Sequence, residues 1–316
     1  MPEVVTMGET MVMFSPEQSG PLRYVPRFQK RIAGSESNVA IGLVRLGHDC
    51  GWISRVGADE FGEFLIREIR GEGVDVSEAR FDPEAPTGIM FKEVRVGRET
   101  RVTYYRKGSA ASRLSPADLN PEYFRGARML HLTGITPALS ASCLDAVEAA
   151  IALARKHGLT VSFDPNLRRK LWSGERAQSV LSRLLTAVDI VLPGVDEAEF
   201  LLGPAGPEAL LDGFLERGAT TVALKLGAKG TWVASARERH WVEAFQVERV
   251  VEPTGAGDAF AAGFLAGMLE ARPLAECGRL ANAMGALAVT TVGDFEGLPV
   301  RRELEDFMYR REQAAR

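Results

Sequence analysis

Apolar and polar positions along this chain follow two periods. Short β-branched runs recur, and longer stretches carrying an apolar stripe at helical spacing lie between them. Residues 4–14 predict a strand with a kink at Gly8-Glu9-Thr10, where polar residues inside an apolar run face either a ligand or solvent. A loop over 15–26 follows. Ala33-Gly34-Ser35-Glu36-Ser37-Asn38 then opens a helix over 39–46, with Ser35 or Ser37 as its cap. Residues 50–56 predict a buried strand and 63–71 the helix after it. There the pattern breaks. Residues 87–96 and 100–106 read as two strands around Gly97-Arg98-Glu99, a hairpin. From Met129 the alternation is regular, with strands at 129–133, 160–164, 188–192 and 221–225. The helices between and after them fall at 140–157, 177–186, 196–202 and 208–217. A tight turn at 227–230 leads into a strand over 231–234. A β-branched run at 247–251 precedes Glu252-Pro253-Thr254-Gly255-Ala256-Gly257-Asp258, and residues 259–269 are apolar nearly all round, as in a buried helix. A small-residue helix over 280–292, a loop over 293–299 and a charged closing helix complete the chain.

Strands alternating with helices imply an α/β fold whose parallel sheet is covered on both faces. No linker or repeat divides the chain, so one domain is expected over 1–316. The interrupting hairpin predicts a small sheet standing off the main body, as a lid or an interface. Composition adds exclusions. An apolar fraction of 46% and a charged fraction of 25% are those of an ordinary globular protein. The net charge of −4, without a basic block, predicts neither nucleic acid nor an anionic membrane as partner. No apolar run reaches the ~18 residues of a membrane span, and the start lacks a basic leader segment. Cys50, Cys143 and Cys277 are scattered without CxxC spacing, and His48, His131, His157 and His240 lack metal-ligand spacing. A disulfide framework and a structural zinc site are therefore not expected, and the cytoplasm is the expected compartment.

The candidate chemistry centres on residues 252–258. Two glycines before a buried helix let the backbone approach a ligand closely, and the helix start offers unpaired N–H groups and partial positive charge. An Asp in the first helical turn is also ordinary dipole chemistry, but Asp258 is placed where a carboxylate takes a proton from an attacking hydroxyl. In parallel α/β sheets ligands bind beyond the carboxyl ends of the strands. The polar clusters at 164–168, 194–197 and 225–230 all fall at such ends. No G-x-x-x-x-G-K-[ST] loop occurs. Phe260 stands where a dinucleotide fingerprint needs its third glycine, and a G-x-S-x-G elbow is absent, which disfavours nicotinamide enzymes and α/β-hydrolases. A glycine-lined anion site with a carboxylate, beside a lid with aromatic and cationic residues, suits phosphoryl transfer to a hydroxyl of a polar small molecule.

Thr254-Gly255-Ala256-Gly257-Asp258-Ala259-Phe260 resembles the C-terminal signature of the ribokinase-like (PfkB-type) carbohydrate kinases. Ala33-Gly34-Ser35-Glu36-Ser37-Asn38-Val39-Ala40 resembles their N-terminal signature, and Arg55-Val56-Gly57-Ala58-Asp59-Glu60-Phe61-Gly62 with Gly73-Val74 a third stretch. The three occur in family order and span essentially the whole chain. The resemblance implies a three-layer α/β/α sandwich with a mostly parallel central sheet. It also implies a β-sheet lid formed by approximately 9–33 and 86–112, with ATP and magnesium as cofactors.

By the same resemblance Asp258 is the catalytic base, and Gly255, Ala256 and Gly257 form the anion hole. Asn166, Lys225, Gly227, Gly230, Gly255, Gly257 and Asn282 line the ATP site. Glu197 matches the glutamate of an N-x-x-E motif that holds magnesium through water, although the asparagine of that motif is Gly194 here. Tyr104-Tyr105-Arg106 with Asp164-Pro165-Asn166-Leu167-Arg168 is similar to the branch acting on the sugar acid 2-keto-3-deoxygluconate. Fructokinases share the second run. The resemblance then places Gly34, Asn38, Tyr104, Arg106, Arg168, Asp258 and Asp294 at the substrate, two guanidiniums suiting a carboxylate. The competing expectations are a fructokinase and, from another class, a non-catalytic sugar-binding regulatory protein. Self-association through the lid into a homo-oligomer is expected.

Overall fold

A computed structural model of the chain describes residues 1–95, 97 and 100–314. The strands are Val4–Met7 (β1), Met11–Pro16 (β2), Phe28–Ala33 (β3), Cys50–Gly57 (β4), Ala79–Asp82 (β5), Ile89–Glu93 (β6) and Arg101–Tyr105 (β7). After them come Met129–Thr133 (β8), Thr160–Asp164 (β9), Ile190–Val191 (β10), Thr221–Lys225 (β11), Gly230–Ser235 (β12) and Arg239–Glu243 (β13). Nine of these form one sheet in the order β13-β12-β11-β10-β9-β8-β1-β4-β5, parallel from β11 to β5 and antiparallel at β12 and β13. The smaller sheet runs β3-β2-β6-β7, with β2 and β6 parallel and its other pairings antiparallel.

Successive residues of β1 enter opposite cores, Val4 on one side and Val5 on the other, as the two-residue period of a strand requires. Helices Ser35–Arg45, Glu60–Gly71, Ala256–Leu269 and Leu274–Ala288 cover the first face. Helices Ala141–His157, Gly174–Leu185, Val195–Leu202 and Pro207–Leu215 cover the second. This is the three-layer α/β/α arrangement. The helix Ala256–Leu269 is buried along almost its whole length, which explains its apolar surround. Helix Ser35–Arg45 lies close enough on it that a Cβ at Gly42 would sit 2.6 Å from the Ala262 methyl. That contact brings the start of one helix against the start of the other, and the site forms there.

The structure corrects several expectations. The run over 4–14 is two strands in different sheets, with Gly8-Glu9-Thr10 as the crossing between them. Glu9 is 3% exposed there and meets protein groups, not solvent. β3, β5 and β13 are additional strands at sheet margins, where apolar alternation is weak. The β-branched run over 247–251 is an irregular segment, with Val250 and Val251 exposed. Gly34 occupies the N-cap position before Ser35, so neither Ser35 nor Ser37 does. The hairpin of β6 and β7 pairs as expected, but Val96, Arg98 and Glu99 lie outside the described residues. No helix is long and apolar enough to cross a membrane among the described residues.

Candidate active site

Gly255 has φ 81°, and a Cβ there would stand 2.1 Å from the Asp294 carbonyl oxygen. Both facts require glycine. The turn it makes opens the helix Ala256–Leu269. Among the described residues the N–H groups of Gly255 and Gly257 donate to no protein acceptor, and that of Ala256 reaches the Pro253 carbonyl only at 3.4 Å. Oriented donors without acceptors at a helix start form a nest for an anion.

Asp258, one residue further, is 9% exposed. Ser35 Oγ donates to its Oδ1 at 2.5 Å and Asn38 Nδ2 to its Oδ2 at 2.8 Å. Asn166 Nδ2 donates in turn to Ser35 Oγ at 3.0 Å. Burial pushes the Asp258 pKa up from 3.8 to about 6. The bonds from Ser35 and Asn38 hold it back, the charge of Asp164 adds to the rise, and Arg168 opposes it. A carboxylate poised near neutrality is suited to general base catalysis. Beneath it Glu36 is fully buried, and its pKa is pushed up by burial to about 7 against hydrogen bonds from Thr133 and Thr136.

The carboxyl ends of β9 and β11 supply the next cluster. Lys225 Nζ donates to Asp164 Oδ2 at 2.6 Å and lies 3.8 Å from where a Cβ on Gly257 would be. Burial works against the charge on Lys225, but Asp164, Glu197 and Asp258 outweigh it and raise its pKa. Glu197 accepts from the N–H of Leu167 and of Gly194, each at 2.8 Å. Burial and the charge of Asp164 push its pKa up. The Glu197 carboxylate thus caps the Gly194 N–H at the start of helix Val195–Leu202, a backbone bond that supplies nothing of an asparagine side chain. Asn166 takes φ 35°, a left-handed conformation that Asn tolerates, and its N–H donates to Asp164 Oδ1 at 3.1 Å.

Asp164, Glu197 and Asp258 exceed Lys225 in charge, so this cluster is chemically fitted to a cation arriving with phosphates. Among the described residues no three His, Cys, Asp or Glu side chains gather as a metal cage. Magnesium keeps waters and binds through substrate phosphates and one or two carboxylates, which Glu197 and Asp164 would supply.

An open cavity of about 1920 Å³ lies over these groups, lined by Tyr104, Arg106, Arg168, Glu197, Lys225 and Gly227 among others. Asp258 is not in its lining but sits below, at the helix start. Arg168 is exposed, and its guanidinium makes no hydrogen bond or ion pair among the described residues. Arg106 does. Its Nε donates to Glu9 Oε2 at 2.6 Å, and a second guanidinium nitrogen contacts the same oxygen. Ser109 Oγ donates to Glu9 Oε1 at 2.5 Å. One side of the Arg106 guanidinium is therefore held by the crossing at residues 8–10.

The other expected site residues are placed as follows. Gly34 lies at the start of helix Ser35–Arg45, against Thr10 and the Glu9 carbonyl. Asp294 Oδ1 accepts from Lys92 Nζ at 2.9 Å, and burial raises its pKa despite that bond. Asn282 is 8% exposed and its Nδ2 donates to the carbonyls of Val242 and Glu243 on β13, at 3.0 and 3.1 Å. It lies outside the cavity lining. Gly227 and Gly230 turn β11 into β12 with φ 59° and 133°. The arrangement thus brings together Gly255, Ala256, Gly257, Asp258, Asn38, Asn166, Lys225 and Glu197, with Tyr104, Arg106 and Arg168 around the cavity. Asn282 stands aside, bonded to β13, whereas the Asp294 carboxyl is held by Lys92 and its carbonyl lies against Gly255.

Sequence reasoning gave no role to Ser35 beyond a cap, nor any to Asp164, Glu36, Ser109, Lys92 or Glu252. Lys92 carried an ambiguous signal. It shares the parity of Met90 in β6, and both are buried while Ile89, Phe91 and Glu93 are less so.

Residues 1–301 match the family described as pfkB family carbohydrate kinase. The chain is 42% identical over 308 residues to a 2-dehydro-3-deoxygluconokinase of Bacillus subtilis (strain 168), covering 97% of this chain and 95% of that one. It is 40% identical over 312 residues to a 2-dehydro-3-deoxygluconokinase of Thermoproteus tenax, covering 98% and 94%. The crystal structure of a putative ribokinase II from E. coli in complex with ATP and Mg²⁺ superposes with a TM-score of 0.92 at 31% identity, covering 98% of this chain and all of that one. With the site built at the start of a buried helix and the match running through nearly the whole sequence, the chain belongs to the pfkB family of carbohydrate kinases.

Proposed function

We propose that the enzyme transfers the γ-phosphoryl group of ATP to the terminal hydroxyl of 2-keto-3-deoxygluconate, giving the 6-phosphate. The observation carrying the mechanism is Asp258, a buried carboxylate with a pKa near 6 beside N–H donors that have no protein acceptor. Asp258 takes the hydroxyl proton as the alcohol oxygen attacks phosphorus. The new O–P bond forms as the bond to the β-phosphate oxygen breaks, and ADP leaves with that electron pair. The amides of 255–257 hold the transferred group, where charge stabilisation and positioning supply most of the acceleration. Lys225 neutralises the phosphates, and Glu197, with Asp164 beside it, would hold magnesium through water. Magnesium, bound with the nucleotide, supplies further neutralisation of the phosphate charge.

The acid substrate is supported by the names of the two relatives and by the guanidiniums of Arg168 and Arg106, which line the cavity with Tyr104. Residues 9–33 and 86–112 act as the lid, excluding water as the acceptor binds. Edge strand β7 exposes Tyr104 and Tyr105, a surface on which a second copy docks. The three cysteines are buried and free, which fits a reducing cytoplasm. ATP consumption with 2-keto-3-deoxygluconate, 2-keto-3-deoxygalactonate, fructose, ribose and adenosine tests the assignment. A higher kcat/KM for fructose than for either acid refutes it in favour of a fructokinase. No turnover with any of them favours a sugar-binding regulatory protein.

A further inference from the structure

Lys92 belongs to the smaller sheet, yet it is 2% exposed and its charge is spent on the larger body. Its Nζ donates to Glu252 Oε1 at 2.7 Å and to Asp294 Oδ1 at 2.9 Å. These carboxylates sit on the two segments that wall the 255–257 turn. Glu252 Oε1 also accepts from Thr254 Oγ1 at 3.0 Å, and its Oε2 from the Gly293 N–H at 3.1 Å. The N–H groups of Val251 and Glu252 both donate to the Val289 carbonyl, at 2.8 and 3.1 Å. The Asp294 carbonyl lies against Gly255, as described above. Two carboxylates held this close repel unless a cation separates them, and the cation comes from the smaller sheet. In that sheet Met90 pairs with Tyr104, so the strand bearing Lys92 lies beside the one bearing Tyr104.

We propose that Lys92 is a positioning residue that couples the placement of the smaller sheet to the geometry of the 255–257 amides. The idea rests on reading those amides as the anion hole. Movement of the sheet onto a bound acceptor is passed through Lys92 to Glu252 and Asp294, and thence to the turn at Gly255. Phosphoryl transfer is thereby tied to acceptor occupancy.

The test is Lys92→Met, with kcat, both KM values and the ATP dissociation constant measured. Displacing the turn by a fraction of an ångström is expected to lower kcat at least about tenfold, with ATP affinity within about threefold of the parent. In Lys92→Ala, small alkylammonium ions are expected to restore part of kcat saturably, which a merely structural role does not allow. A folded Lys92→Met with kcat within about twofold of the parent overturns the coupling, as does Lys92→Ala that is impaired but unresponsive to every alkylammonium ion. Should Lys92→Met fail to fold, Glu252→Gln keeps Lys92 paired with Asp294 and is expected to lower kcat with ATP affinity retained. Unchanged kcat in that variant overturns the coupling. Gly255→Ala run in parallel separates the two ideas. If it too keeps full kcat, the anion-hole reading fails, and if it alone is impaired, only the coupling does.

Discussion

Replacing Asp258 by Asn is expected to make the protein more stable while disabling it. Folding raises the pKa of this carboxyl from 3.8 to about 6, chiefly by burial. At 1.36 kcal/mol per pKa unit, the ionised form sits about 3 kcal/mol less comfortably in the native state than in the unfolded chain. The sign follows from the direction of the rise. The native state holds the proton more tightly than the unfolded state, so stability is fullest below pH 3.8 and is lost as pH rises through 6. The amide has no charge to bury. It keeps the acceptor for Ser35 Oγ, and Asn38 Oδ1, buried without a partner, is placed to accept from it once the Asn38 amide turns over. Asp258→Asn should therefore gain about 3 kcal/mol at pH 7.5, roughly half of that at pH 5 and less than about 1 kcal/mol at pH 4. For a chain of 316 residues the first figure raises Tm by about 4–5 °C. The same variant should lose about 10²- to 10⁴-fold in kcat, the contribution of a positioned base, with ATP affinity retained. Differential scanning calorimetry at the three pH values, beside steady-state kinetics, makes the measurement. A variant that melts lower than the parent at pH 7.5, or whose gain does not shrink with acid, would refute the burial argument. Near-normal kcat would refute the base assignment.

Three further expectations follow from the same contacts. Because the proton-accepting form of Asp258 is the ionised one, log(kcat/KM) should climb with unit slope below pH 6 and level off above 7. That limb should vanish in Asp258→Asn; a flat profile in the parent counts against Asp258 as base. Arg168→Met and Arg106→Met should both raise KM for the sugar acid about 10- to 100-fold through the lost charge-assisted hydrogen bonds. Only the second strands a buried carboxylate, Glu9, so chemical denaturation should find it about 3–5 kcal/mol less stable while Arg168→Met stays within about 0.5. Equal stability in the two variants would show that Glu9 does not depend on Arg106. Lys225→Met leaves Asp164 and Glu197 without their common counter-charge, so ATP affinity by calorimetry should fall at least about tenfold. Retained affinity would remove Lys225 from the phosphate site.

The parts legible in the sequence are those where local chemistry and the global fold agree. Helix Ala141–His157 could be bounded from Ser140 and Gly158 alone, because the Ser140 hydroxyl does accept from the Cys143 N–H and Gly158 does adopt φ 74°. The buried parallel strands β8 and β9 could be read from their apolar runs for a similar reason, since both faces are covered. Margins defeat this logic. β3 and β13 carry charges at exposed positions, and nothing local distinguishes Gln29-Lys30-Arg31 or Arg239-His240 from loop. The crossing at Gly8-Glu9-Thr10 defeats it differently. A ligand or solvent were the two expectations for Glu9, and the structure supplies a third, an ion pair to Arg106 that is 97 residues away. The site divides along the same line. Asp258 and the 255–257 turn could be found because one peptide segment supplies both the donors and the base. The groups that set the properties of that segment arrive from distant segments: Ser35 at a separation of 223 residues, and Lys92 at 160 from Glu252 and 202 from Asp294. Sequence spacing carries no trace of such partners. What it does carry is parity. A lysine at an inward position of a short strand must find carboxylates or unfold the sheet that holds it. For Lys92 even parity is ambiguous, because Ile89 and Phe91 are as apolar as Met90 and only the structure fixes which side of β6 faces inward.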